Sequence, residues 1–363
     1  MKANLIMDTV TSVDCAVITA EGALVGHSFN PTFFVSGDID DTEGVVCDFS
    51  TLKKRSKAEI DDRDTGLDHK LLVPCSKNVS FAVDADTKGN VVLTTPHVVI
   101  SAPTNAFVLI KPSFLTVMPK GHTLVSNVHE FPYDESRSLD ILDKEGNINL
   151  FASSSLFCSI VSSLLAIRLP EFTFSIGLRE EPHDFKSPLF LQNTVIYPGK
   201  SSLFRYTHGL PNSTSWGCQN IAHGHLSFVQ CFGEQDTPLL TSVAWQLAMT
   251  LNGTYFCNSN NLTVSDSESD KGLPQVISYK SSRGNFKLQL KTQSRLVAIP
   301  KDTTIENLAR HMVEVNAKYL QDNGIVCVYI SEGLNKGSMM WVKDAVAQVP
   351  TIIDAEPSGE VLQ

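Results

Sequence analysis

No stretch of the chain is apolar for long enough to span a bilayer. The longest run, Leu156 to Ile167, is interrupted by serines and falls short of the roughly 20 residues that a membrane helix needs. Basic residues are in deficit, 29 Lys and Arg against 39 Asp and Glu, for a formal net charge of −10. With no cationic excess to neutralise phosphates, nucleic acid and anionic membrane surfaces are excluded as the main partners. A basic-then-apolar leader with a cleavage site is missing from the beginning of the sequence, so the expected location is the cytoplasm. The eight cysteines lack regular spacing and read as reduced thiols rather than as a disulfide framework. What is present, 363 residues of which 42% are hydrophobic and 19% charged, suits a globular chain with room for two domains, each with its own core.

The densest chemistry lies between Phe204 and Phe228, where His208, Cys218 and the run His223-Gly224-His225 follow one another. Residues two apart in a strand point to the same face about 6.5–7 Å apart. His223 and His225 can therefore aim both imidazoles at one ion, with Gly224 leaving room behind them. A third imidazole, His208, would come from the preceding strand. Three histidines without a fourth protein ligand leave zinc an open position, the arrangement of catalytic rather than structural sites. Cys218 falls in the connecting loop, where a nearby cation could hold it as thiolate. A His-Gly-His alone is a weak signal, often no metal site at all.

The whole string, Phe204-Arg-Tyr-Thr-His-Gly-Leu, then Cys218, then His-Gly-His, resembles the amino-terminal signature of the 6-pyruvoyl-tetrahydropterin synthase and 6-carboxytetrahydropterin synthase family, of the tunnelling fold. A second, partial match lies near the start. Leu24-Val-Gly-His-Ser-Phe, the run from Asp38 through Cys47-Asp-Phe-Ser-Thr-Leu-Lys, and Gly66-Leu-Asp-His-Lys-Leu-Leu are similar to the family's His-Gly-His, Asp-Phe-x-x-Leu-Lys and Leu-Asp-His-x-x-Leu. Taken alone, Asp48 reads as a helix-capping carboxylate, and Asp68-His69 could be a surface pair.

The resemblance implies an α+β chain of two tandem tunnelling-fold units, residues 1–196 and 197–363, with antiparallel sheets, helices packed on one face, and assembly into a β-barrel ring. Each unit is expected to run strand, strand, helix, strand, helix, strand, strand. In the first, a helix from about Leu150 to Ile167 precedes a strand at Phe172 and a closing strand near Leu189. In the second, apolar residues Ile305, Leu308, Ala309 and Met312 at helical spacing predict a helix from Thr304 to about Leu320, capped by Thr303 or Thr304. Both units carry strand-patterned insertions, Asn78 to Pro119 and Asn261 to Pro300, to which no chemistry is assigned. Residues 126–148, rich in Asp and Glu, read as a further solvated excursion.

The units depart from the family in complementary ways. The first keeps His27 but has Val25 where the family has its partner, and no histidine near Asp14; one imidazole makes no zinc site. The second has all three histidines, yet Leu251-Asn-Gly stands where the family has Leu-Asp-His. The resemblance therefore implies a composite site: zinc on His208, His223 and His225, with Cys218, Asp68 and His69 as the proton-transfer residues. Glu332, and less securely Glu180, would anchor the pterin through its amino-pyrimidine edge; without that context Glu332 is a strand-end surface carboxylate. The implied activity is a lyase acting on 7,8-dihydroneopterin triphosphate or a close relative, forming a 6-pyruvoyl or a 6-carboxy product. The implied state is a homo-oligomer, a dimer or trimer of two-unit chains. The alternative is a non-catalytic scaffold or pterin- or purine-binding protein of the same fold.

Overall fold

The structure, a computed structural model, describes residues 2–74, 78–111, 114–117, 154–179, 185–186, 195–196, 202–233, 238–263, 275–291 and 295–344. Its elements run β1 (Lys2–Met7), β2 (Val13–Ile18), β3 (Leu24–Asp38), α1 (Phe49–Ile60), β4 (Leu71–Pro74), β5 (Ser80–Val83), β6 (Asn90–Thr94), β7 (Val98–Pro103), β8 (Phe107–Lys111), β9 (Phe114–Val117), α2 (Ser154–Arg168), β10 (Thr173–Arg179) and the short β11 (Phe185–Lys186) and β12 (Val195–Ile196). There follow β13 (Leu203–His208), β14 (His223–Gly233), α3 (Pro238–Leu251), β15 (Thr254–Asn258), β16 (Leu262–Thr263), β17 (Gln275–Ser281), β18 (Gly284–Leu290), β19 (Arg295–Ile299), α4 (Ile305–Val315), α5 (Ala317–Asp322), β20 (Ile325–Glu332) and β21 (Lys336–Trp341).

This is a mixed α+β architecture with few helices. One sheet is ordered β1-β3-β2-β4-β8-β9, with β10 also on β3; another is ordered β19-β15-β13-β14-β20-β21. The strands around each long hairpin pair alike: β2 with β3 and β13 with β14 antiparallel, β2 with β4 and β13 with β15 parallel, β4 with β8 and β15 with β19 parallel. Antiparallel pairing prevails, as expected, and these parallel pairs add a mixed character to two of the sheets. A helix intervenes between β3 and β4, and between β14 and β15, and that crossover returns the chain parallel to the first strand of each hairpin.

The third large sheet, β16-β17-β18-β7-β6-β5, is built from the two insertions. β18 pairs antiparallel with β7, Lys287 to Leu290 against Ser101 to Val98, so the leading parts of the two added segments form one continuous sheet, while β8, β9 and β19 join the other two.

Strand periodicity explains how three layers share the interior. Along β2, Cys15 and Val17 join the core under α1 and α2, with Leu52, Phe157 and Ile160, while Ala16 and Ile18 join Ile100, Ile277 and Leu288 beneath the inserted sheet. In β15 Phe256 joins the core of α3 and α4, and Tyr255 and Cys257 face the inserted sheet. Neighbours pointing to opposite faces are therefore both covered, which is why β2 is buried at every position. Helices do cover one face of the strands, as expected; the added sheet takes part of the other.

Local predictions fare unevenly. Asp48 caps α1, its carboxylate accepting from the Thr51 amide at 2.7 Å, which satisfies one of the free N–H groups of the first turn. The helix expected from Thr304 to Leu320 is broken into α4 and α5 at Asn316. Thr304 is its N-cap residue but makes no side-chain cap bond. The seven described cysteines are unpaired. The closing strand near Leu189, the segment 126–148 and the boundary at 197 lie outside the described residues. No helix among the described residues is long and apolar enough to cross a membrane.

Candidate functional site

The site forms where the hairpins β2–β3 and β13–β14 meet. A Cβ on Gly26 would lie 1.9 Å from the Tyr206 carbonyl oxygen, and one on Gly224 would lie 2.5 Å from the Gly26 Cα. The two backbones touch, and any side chain at either position would force them apart. The room that Gly224 leaves behind the two histidines is filled by the other hairpin.

In β13–β14, His208 pairs with His223 and Tyr206 with His225, so the three histidines share one sheet face. Their ligand atoms lie within 4.8 Å of one another, and all three are buried. His208 Nδ1 sits 2.9 Å from the carbonyl oxygen and 3.1 Å from the hydroxyl of Thr303. A carbonyl only accepts, so Nδ1 carries the hydrogen and the Nε2 lone pair is free. That Nε2 and both ring nitrogens of His223 have no hydrogen-bond partner. Burial, followed by the neighbouring His225, pushes the pKa of His208 and of His223 well below the ordinary value. Convergent, buried imidazoles with unpartnered nitrogens suit a divalent cation: orphaned polar atoms are costly in a core, and a metal would satisfy them.

The first hairpin supplies the remainder. Asp14 Oδ1 lies 3.3 Å from His225 Nδ1 and accepts from the Ser28 hydroxyl at 2.5 Å. Burial alone would raise the Asp14 pKa; the His225 imidazole and the Ser28 bond outweigh it and hold the group at about 2. The Asp14 amide donates to Asp68 Oδ1 at 2.9 Å, and the His69 amide donates to the Asp14 carbonyl at 2.7 Å. Asp68 Oδ2 is 2.5 Å from His69 Nδ1.

His69 has φ +57, in the left-handed region that costs a non-glycine residue about 1–3 kcal/mol. The turn aims its ring at Cys218 and His223, with a His69 ring nitrogen, the Cys218 Sγ and a His223 ring nitrogen within 4.8 Å of one another and the His69 and His223 ring centroids 4.5 Å apart. Gly217 must lack a side chain, since a Cβ there would fall 2.7 Å from the His69 ring. Burial opposes charge on both partners, but Asp68 and then Cys218 raise the His69 pKa well above its usual value, and His69 lowers that of Cys218. Both shifts favour the imidazolium–thiolate form of the pair over the neutral one.

Asp68, His69, Cys218, His208, His223 and His225 thus come together within a single chain, from residues far apart in sequence. Glu332 reaches the same region, with Oε1 3.9 Å from His225 Nε2 and Oε2 2.9 Å from Lys336 Nζ. Glu180 lies outside the described residues. The sequence reading missed Asp14, Thr303 and Arg283, whose Nη1 donates to the Gly217 carbonyl at 3.0 Å. None carries a local signature, because each acts on a partner from a distant segment.

No protein-family model matches the chain, and no curated protein matches it. Among solved structures it is similar to 6-pyruvoyl tetrahydropterin synthase from Plasmodium vivax, at 18% identity over 54% of this chain and 97% of that one, with a TM-score of 0.30. It is also similar to a catalytic-residue mutant of the Plasmodium vivax enzyme, at 25% identity over 31% of this chain and 68% of that one, TM-score 0.24. For the Plasmodium falciparum enzyme the figures are 25% identity, 30% of this chain, 66% of that one and a TM-score of 0.24. Likenesses with TM-scores this low say nothing about activity.

Proposed function

We propose that the chain is a tandem pair of tunnelling-fold units, 1–196 and 197–363, forming a zinc-dependent lyase on 7,8-dihydroneopterin triphosphate or a close relative. The observation that carries the reading is the convergence of three buried histidines with the Asp68–His69–Cys218 relay, each part standing where the pterin synthase motifs fall. Zinc held by His208, His223 and His225 would supply Lewis acidity toward hydroxyl or carbonyl oxygens of the pterin side chain.

The chain's own groups do the proton work. Cys218, as thiolate, takes a proton from a side-chain carbon, and His69, as imidazolium, returns one to a neighbouring atom, so that charge is conserved over the cycle. Asp68 fixes the His69 tautomer through Nδ1 and stabilises its charged form. Glu332 accepts from the N–H groups of the amino-pyrimidine edge. Burial of the cluster keeps water from competing for these positions. The product, 6-pyruvoyl with release of triphosphate or 6-carboxy after side-chain cleavage, is set by which bond is presented to Cys218. Two-unit chains are proposed to associate as a dimer or trimer, closing the ring through outer strands.

The test is product analysis by mass spectrometry after incubating zinc-loaded protein with dihydroneopterin triphosphate. A 6-pyruvoyl or 6-carboxy pterin is expected. Stoichiometric zinc with unconsumed substrate would instead identify a scaffold or binding protein.

A further inference from the structure

The inserted sheet has no part in the proton chemistry, yet the tip of its hairpin β17–β18 is seated on the relay. Gln219, next to Cys218, accepts through Oε1 from the Arg283 amide and from the Ser282 hydroxyl, both at 2.9 Å. The Tyr279 hydroxyl donates to the Gln219 carbonyl at 3.0 Å. Arg283 itself is 6% exposed. Its Nη1 donates to the Gly217 carbonyl at 3.0 Å and reaches the His69 carbonyl at 3.4 Å, and its Nη2 donates to the Asn105 carbonyl at 2.9 Å. The guanidinium lies 4.0 Å above the Trp216 ring. One side chain of the second half therefore bonds the residue before Cys218, the backbone of His69, and the turn leading into β8.

Volume alone does not call for an arginine here. A buried guanidinium loses hydration, and its pKa is drawn down to about 10; an apolar side chain of similar size would fill the space without that cost. What the planar fork adds is donors in fixed directions: Nη1 and Nη2 reach carbonyls of three different segments, while Nε has no partner. His69 is the segment most in need of them, because its left-handed backbone relaxes unless its surroundings hold it. Its carbonyl also accepts from Asn220 Nδ2 at 3.0 Å. β18, which carries the hairpin, is paired with β7 of the first half, so the brace is anchored on both sides of the junction it spans.

We propose that Arg283 is a positioning residue, holding the His69 backbone and the Cys218 loop in register across the junction of the two halves. The inserted sheet is the frame that carries it. The proposal rests on the reading in which His69 and Cys218 exchange protons with substrate.

The experiment uses full-length, zinc-loaded wild type, Arg283→Met and Arg283→Lys. Arg283→Met should keep stoichiometric zinc, since Arg283 touches none of the three histidines. Its kcat on dihydroneopterin triphosphate should fall by about 10–10²-fold, the cost of ångström-scale misplacement, with KM little changed. Arg283→Lys, which offers donors without the fork, should lie between Met and wild type; it also serves if the Met variant fails to fold. Hydrogen–deuterium exchange should quicken in peptides covering 67–71 and 217–222 and stay unchanged in α3 and α4. Unchanged exchange in those two peptides, or loosened exchange with full kcat, overturns the proposal. If wild type turns over no pterin, the catalytic reading fails separately, and the exchange result alone decides whether Arg283 holds the two segments.

Discussion

The two hairpins at the centre of the molecule share a register and differ in chemistry. Superposing Gly26 on Gly224 sets Val17, Val25 and His27 of the first hairpin against His208, His223 and His225 of the second. The same register sets Asp14 against Arg205. Asp14 reaches across the crossing to His225, whereas Arg205 acts on His27, where burial and then the guanidinium charge hold the imidazole pKa at about 3. One corner of the pair thus gathers three imidazoles and a carboxylate, and the opposite corner one imidazole and a cation. Equal backbones, then, do not make equal sites: the count of imidazoles differs, and the sign of the residue reached from the partner hairpin widens the contrast.

The largest expected effect tests the metal side of that contrast. His223→Ala should abolish stoichiometric zinc, and His27→Ala should leave one zinc per chain by elemental analysis. Two zincs in the wild type would erase the distinction between the corners.

Next is the relay. His69→Ala should lower turnover by roughly 10²–10⁴-fold, the range for a general acid or base, with zinc retained. Mixing His69→Ala with Cys218→Ala chains under subunit exchange should restore nothing, because both groups meet within one chain. Recovered activity would show that sites are built between chains.

The third outcome concerns the charge that distinguishes the corners. Asp14→Asn should weaken zinc binding by about 10–10²-fold in chelator competition, as for other partners of metal-bound histidines, while Arg205→Gln should not. Equal effects would deny Asp14 its role.

The smallest effect is on Cys218 reactivity. Because His69 lowers the thiol pKa while burial raises it, alkylation followed against pH should inflect below the ordinary value in wild type. In His69→Ala the two largest lowering influences are gone, leaving Ser215 against burial and Glu332, and the inflection should move up. A profile indifferent to His69 would separate the two groups.

The sequence disclosed what depends on neighbours along the chain. Alternation and the His-Gly-His spacing placed β14; the Asp48 cap and the apolar spacing of α4 located the starts of α1 and α4. Asp68-His69 and the three histidines were legible through motif strings. The break at Asn316 was not, since Ala317 and Leu320 continue the apolar stripe and are buried beyond it. Parallel pairing, set by where crossovers return the chain, leaves no mark in a strand's own residues. Asp14 could be read only as a missing histidine, and Thr303 only as a cap, because their partners are brought by the fold.

The pairing of β18 with β7 also bears on how the chain can be handled. Each half lends the other its missing strand, so a cut near the middle would leave Val98 and Ile100 on one piece, and Leu288 and Leu290 on the other, beside rows of unsatisfied amides and carbonyls. Such edges recruit whatever strand is nearest, including a copy of themselves. Separately produced halves should therefore precipitate or pair with their own kind, whereas co-expression should return a soluble complex, a contrast readable by size-exclusion chromatography.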